Sequence, residues 1–262
     1  MLGTFLLVIA CCSLAQAQEQ GYQALYEKGE YALALKQIDS ALNDIYSKRV
    51  DDKRVPSGFI TLKNTDKDID LVRMFRERKA SGFFIEDNPE ISGLHLYAAR
   101  CSVKLKKPEN ALNHYYQCLR FRKLEYKRDD VVFHEMAGIF RDRGHFRAYL
   151  NFLEAAYSLN REEYAYSKEL GVALYPTADK KRSIYHLERY VTNAEDKPDP
   201  KLYLMIGNLN EDIGKYLETE KYYARYLELN PGDGPVQFAL GHNAYRRTGN
   251  YSLAMASLGR AL

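Results

Sequence analysis

Few side chains in this 262-residue chain have the types and spacing that chemistry requires. His134-Glu135 opens a string like the His-Glu-x-x-His of zinc hydrolases, where two histidines on one helix face hold the metal and the glutamate is the base. Gly138 stands where the second histidine must be, so His134 reads as a surface or groove residue. His114 and Cys118 lie four apart, and Cys101 falls on the preceding helix. A zinc site there lacks its fourth ligand. Asp66, Asp68, Asp70 and Glu77 imitate a calcium loop, but Leu71 fills the slot that needs glycine and the run to Phe75 is apolar. That pattern is a helix start rather than an ion loop. The sequence contains no G-x-S-x-G, no phosphate-type glycine loop and no dinucleotide fingerprint. Asn250-Tyr251-Ser252 matches a glycosylation acceptor, but a repeat turn accounts for it equally well. Nothing brings a nucleophile, a base and oxyanion donors together. The expectation is a chain that is not an enzyme and takes no cofactor or metal.

The elements that carry these residues repeat. Phe133, Gly144 and Phe146 recur as Tyr203, Gly214 and Tyr216, and again as Phe238, Gly249 and Tyr251. The offsets are 70 and then 35 positions, one helix pair per beat, as in a solenoid of stacked helical hairpins. An earlier hairpin turns at Lys28–Tyr31, with Leu35, Ile38 and Leu42 on one apolar face. Gly29 there supplies a positive backbone angle. Residues 47–88 break the beat with a charged loop around Pro56 and Gly58 and one helix from about Asp66 to Lys79, its acids first and bases last. Asn88-Pro89-Glu90 starts the next helix, with an asparagine cap and proline in the first turn. About five hairpins follow over residues 89–262. One is degenerate, with Pro176 in place of the turn glycine.

The N-terminus, MLGTFLLVIACCSLAQAQEQ, has an apolar run too short to span a bilayer. It leads to Ala15-Gln16-Ala17, so residues 1–17 read as a signal peptide cut before Gln18. A second reading is a lipoprotein signal with Cys11 as the lipid-bearing residue, which would be the sole membrane contact. Cys101 and Cys118 then remain, either as a bridge across one hairpin or as two small buried residues. The net charge of +3, from 38 basic and 35 acidic residues, is too balanced for a dedicated nucleic-acid binder. Basic clusters at Arg120, Arg122, Lys123, Lys127 and Arg128, and at Lys180-Lys181-Arg182 in a turn, read as solvated positions or as sites for an acidic partner.

These segments resemble the tetratricopeptide repeat family. Tyr203, Ile206-Gly207, Gly214, Tyr216 and Pro231 fall in order at its spacing, and so do Phe133, Met136-Ala137, Phe140, Gly144, Phe146 and Ala156. Phe238, Tyr245, Gly249, Tyr251, Ala254 and Ala261 make a third set. Gly29, Tyr31, Ala34 and Ala41 make a partial fourth, with weaker copies at Ala98-Ala99 and Leu170-Gly171. The resemblance implies an all-α, right-handed superhelical solenoid whose first helices line a concave groove. Gly207, Ala99 and Ala137 would let helices approach, and Tyr203 and Phe238 would fill the gap between hairpins. By position, Arg100, Lys104, His134, Arg141, Lys168, Asn208, Glu211, Asn243, Arg246 and Arg247 would face the groove. Leu204 and Ala239 occupy lysine slots of the carboxylate clamp found in some members, while Asn208 and Asn243 fit asparagine slots, so a chaperone-tail binder is disfavoured. The expected function is a non-enzymatic scaffold of the cell envelope or periplasm that binds proteins or acidic peptides in this groove. The alternative is the peptide-binding or regulatory portion of a larger enzyme. No polar capping helix follows Leu262, so the array is expected to continue or to be covered by another protein.

Overall fold

The computed structural model describes residues 21–48, 86–122, 129–193 and 198–261. The proposed leader with Cys11 and Gln18, the helix at 66–79 and the bases Lys123, Lys127 and Arg128 lie outside them. The described chain is all-α. Helical residues 21–27 (α1) lead into α2 (Tyr31–Ser47). Then come α3 (Pro89–Lys104), α4 (Pro108–Arg120), α5 (Asp130–Asp142), α6 (Phe146–Leu159), α7 (Tyr164–Leu174) and α8 (Lys180–Asn193). The last four are α9 (Pro200–Asp212), α10 (Tyr216–Leu229), α11 (Gly234–Asn243) and α12 (Tyr251–Ala261), with a π-helical turn, Ala244–Thr248, between the final two. Consecutive helices pack as hairpins: α3 on α4, α5 on α6, α7 on α8, α9 on α10 and α11 on α12. No described helix is long and apolar enough to cross a membrane.

The turns follow from backbone chemistry. Gly29, Gly144, Gly214 and Gly249 sit at φ of 81°, 75°, 75° and 72°, a region open to glycine at little steric cost. Lys106 takes the same role at φ 58, so the α3–α4 turn is regular despite lacking glycine. At Pro176 the chain turns differently. The Thr177 hydroxyl donates to the Leu174 carbonyl at 2.6 Å and accepts from the Asp179 amide at 3.2 Å. Lys180, Lys181 and Arg182, expected in a turn, therefore form the first turn of α8. Asp179 pairs with Arg182 and Asp212 with Lys180, offsetting cations at a helix N-terminus. Asn88 caps α3 as expected, its side-chain oxygen accepting from the Ile91 amide at 3.1 Å.

The chain divides into two compact units, one ending at Leu159 and one beginning at Asn160. In the first, α2 packs on α3 and α4 on α5. Its core joins Ile38, Leu42 and Tyr46 to Ile91, Leu94, Ala98 and Phe121. In the second, α8 packs on α9 and α10 on α11. Ile184, Leu187, Leu202 and Ile206 form one cluster, and Tyr223, Tyr226, Val236 and Leu240 the next. Half-buried Tyr203 packs against both. Each hairpin thus covers an apolar face that its neighbour cannot bury alone.

Candidate functional site

The close approaches within hairpins set the register. A Cβ on Gly207 would lie 2.5 Å from the Tyr223 ring, one on Gly171 2.6 Å from Leu187, and one on Gly241 2.7 Å from Leu258. Gly207 therefore fits two helices together, as expected. The partner lies 16 positions on for Gly171 and Gly207 but 17 positions on for Gly241. The extra residue resides in the π-helical turn. After the other glycine turns the chain closes with an amide bonding to the carbonyl five residues back, as from Lys215 to Asn210 at 2.8 Å and from His145 to Phe140 at 2.9 Å. In the last hairpin Asn250 reaches six back, to Ala244 at 2.9 Å.

That single residue separates the register of α11 from the numbering of the turn glycine. The counterpart of Gly207 is Gly241, so the counterpart of Tyr203 is Gln237, and that of Asn208 is His242. Gln237 is buried. Phe238, expected to fill the gap between hairpins, is 58 % exposed and stacks on His242 with ring centroids 6.2 Å apart. Asn243, expected in the groove, is 1 % exposed. Its amide donates to the Tyr216 carbonyl at 2.9 Å and toward Glu220 at 3.5 Å. It is a contact between hairpins, because position 243 is the counterpart of Leu209, which is buried as well.

The other expected groove residues separate into engaged and open ones. Asn208 is half-buried, donating to the Tyr175 hydroxyl at 3.1 Å and accepting from that of Tyr223 at 2.8 Å. The single Tyr223 hydroxyl proton is shared with Glu211, whose carboxylate oxygen lies 2.7 Å away. Burial first, and the Glu211 carboxylate second, push the Tyr223 phenol far above its ordinary pKa, so it stays a donor. Arg100 of α3 is bound to Glu135 of α5, with Nε to Oε1 at 3.0 Å and a second contact at 2.9 Å. Tyr115 donates to the same carboxylate at 3.0 Å. Lys168 is half-buried, with its ammonium 5.3 Å from the Tyr190 ring centre. His134 is half-buried. Lys104, Arg141 and Arg246 are exposed, Arg141 pairing with its neighbour Asp142. Arg247 is exposed but lies over the Tyr216 ring at 5.0 Å.

The residues that sequence spacing missed are Val172, Phe238, His242 and Tyr245, all exposed on first helices of the second unit. Phe238, His242 and Tyr245 fall at i, i+4 and i+7, one stripe of a helix. The missed signal was legible in the chain: Gly207 and Gly214 are seven apart, whereas Gly241 and Gly249 are eight apart.

Cys101 and Cys118 are free thiols, both buried. Desolvation pushes Cys101 up to about 11 and raises Cys118 as well, so both are thiols at neutral pH. Cys118 lies 3.4 Å from the Ser92 hydroxyl. His114 turns to His95, Nδ1 to Nδ1 at 3.0 Å, and His95 Nε2 meets the Tyr46 hydroxyl at 3.1 Å. Burial lowers His114 to about 4. Among the described residues no cluster of three His, Cys, Asp or Glu is placed to hold a metal.

A sequence model of the tetratricopeptide repeat matches residues 200–233, the α9–α10 hairpin with its exit turn. No curated protein sequence matches the chain. Among solved structures, YrrB, described as "a TPR protein with an unusual peptide-binding site", superposes with a TM-score of 0.51 at 17% identity over 72% of this chain and 91% of its own. The MamA protein superposes with a TM-score of 0.50 at 15% identity, over 67% of this chain and 92% of its own. These likenesses show the fold.

Proposed function

We infer that this tetratricopeptide-repeat protein is a scaffold without catalytic activity, holding segments of partner proteins against the first-helix face of its hairpins. The observation that carries this reading is the exposed row Phe238, His242 and Tyr245. Phe238 and Tyr245 remain 58 % and 55 % exposed on helices whose opposite faces are packed. Covering a large apolar side chain is worth roughly 1.5–3 kcal/mol, and aromatic side chains on rigid elements are the usual anchors of protein interfaces. Asn208 and Glu211 beside this row are locked by Tyr175 and Tyr223, which pre-organises the surface and lowers the entropic cost of binding. The peptide-binding site named for YrrB is in keeping with this use of the fold.

A photo-crosslinking amino acid at Phe238 tests the reading, with Tyr185, an exposed ring on α8, as the control position. The expected result is a crosslinked partner polypeptide from position 238 and none from position 185. Equal crosslinking, or none from 238, contradicts it. We further propose that the protein works outside the cytosol, because a small-x-small site follows a short apolar run. N-terminal sequencing of the mature protein is expected to begin at Gln18. A lipid-modified start at Cys11 would tether the scaffold to a membrane, and an intact Met1 in a cytosolic fraction would refute export.

A further inference from the structure

We propose that the π-helical turn builds a second docking site, apart from the first-helix face, for an acidic peptide segment that carries an apolar side chain beside its carboxylates. The site is an open pocket of about 570 Å³ lined by Gly214, Lys215, Tyr216, Leu217, Glu218, Arg247 and Thr248. It lies at the turn edge between the last two hairpins. The proposal rests on the scaffold reading only in taking the ligand to be a polypeptide.

The extra residue places Arg247 here. π turns disrupt regular helical bonding and recur at functional positions. This one is held from several sides. The Thr248 hydroxyl donates to the buried Glu220 carboxylate and lies 3.2 Å from the Ala244 carbonyl. Asn243 ties the same turn to the Tyr216 carbonyl. Arg247 is thereby stacked over Tyr216, its guanidinium carbon 5.0 Å from the ring centre. Stacking of this kind fixes the group while leaving its N–H donors free to meet a carboxylate.

Charge decides the ligand. The carboxylates around the pocket are already engaged: Glu218 pairs with Lys221, Asp212 with Lys180, Glu211 binds the Tyr223 hydroxyl, and Glu220 binds Thr248 and Asn243. Among the described residues no carboxylate pairs with Lys215, Arg246 or Arg247. The edge therefore presents cations without an ion-pair partner beside carboxylates already engaged by ion pairs or hydrogen bonds. Apolar chemistry sits alongside, because Leu217 is 72 % exposed at the pocket and Tyr216 forms its wall. A bare anion would use only the cations. A peptide with Asp or Glu next to Leu or Phe uses both features.

The test is fluorescence anisotropy of the full chain with a labelled peptide Gly-Glu-Glu-Leu-Glu-Gly at low ionic strength, repeated with rising salt. Wild type is expected to bind, and salt to weaken the complex. Arg247→Ala and Lys215→Ala are each expected to weaken it about fivefold or more, with wild-type melting curves because both side chains are exposed. Replacing the peptide leucine with glycine should also weaken binding, while Phe238→Ala should leave it unchanged. Binding lost in Phe238→Ala but kept in Arg247→Ala would overturn this site and leave the first-helix face as the sole dock. Displacement by an equal concentration of inorganic phosphate would show an anion site and overturn the peptide assignment. Absence of binding at millimolar peptide would overturn it outright.

Discussion

The hairpins α9–α10 and α11–α12 are neighbours built on one plan. Both place a glycine of the first helix against a bulky side chain of the second, Gly207 on Tyr223 and Gly241 on Leu258. Both turn through a glycine at positive φ. Between those two glycines the second hairpin carries one more residue. The chain absorbs it as a π turn, so α11 keeps the register of α9 about its glycine. In α9 the polar side chains on the exposed face are tied down by tyrosines. Along α11 and the π turn the equivalent face shows a stripe of Phe238, His242 and Tyr245, while the polar Asn243 points inward and binds α10. The packed face is thus kept, with Asn243 at the place of buried Leu209, while the outward positions Leu204, Asn208 and Glu211 are replaced by Phe238, His242 and Tyr245.

The comparison can be broken at several points. The largest effect is expected from Gly207→Leu. The Tyr223 ring it would strike is pinned through its hydroxyl to Asn208 and Glu211, so it cannot swing aside without losing those bonds. Overpacking of this kind costs about 1–3 kcal/mol or more, measurable by urea denaturation. A variant as stable as wild type would mean that the α9–α10 register is wrong. Next comes Thr248→Ala, which removes the hydroxyl from the buried Glu220 and releases the π turn. A loss of about 1–3 kcal/mol is expected, with most of it restored in Thr248→Ser. An unchanged midpoint would show that the turn is held by something else. Asn243→Ala should cost about 1 kcal/mol, since it deletes hydrogen bonds between hairpins. If Asn243 faced solvent, the same change would cost nothing. The smallest effect on stability belongs to Phe238→Ala and to the double reversal Arg246→Glu, Arg247→Glu, each within about 0.5 kcal/mol. Partner binding separates these two: crosslinking and capture through the first-helix face fail in the former, and acidic-peptide binding fails in the latter.

Most of the scaffold was legible in the sequence because its determinants are local. Turn glycines, the Asn88 cap and small residues at helix contacts each answer to a backbone angle or a distance that few residue types satisfy. The surface was less legible. The trio used to align the hairpins took one residue from the first helix and two from the turn, and the insertion lies between them. Aligning on the turn carried Phe238 onto Tyr203 and Asn243 onto Asn208, one position out. A one-residue error rotates a helix by about 100°, enough to exchange a buried face for an exposed one. The turn at Lys106–Pro108 was legible too, although its positive φ falls on a lysine, which seldom adopts it. The links from Tyr175 to Asn208 and from Arg100 to Glu135 join residues 33 and 35 apart, and no local pattern announces such pairs.

The central claim is that the Gly241 contact, and not the turn glycine, sets which side of α11 faces outward. Cysteine labelling tests it most directly, since Cys101 and Cys118 are buried and peptide mapping distinguishes every labelled site. Cysteines placed singly at Phe238, His242, Asn243 and Tyr245 are to be reacted with a maleimide under native conditions. Fast modification is predicted at 238, 242 and 245, and slow modification at 243, limited by opening of the hairpin contact. Position 243 reacting as fast as 242 would contradict the account.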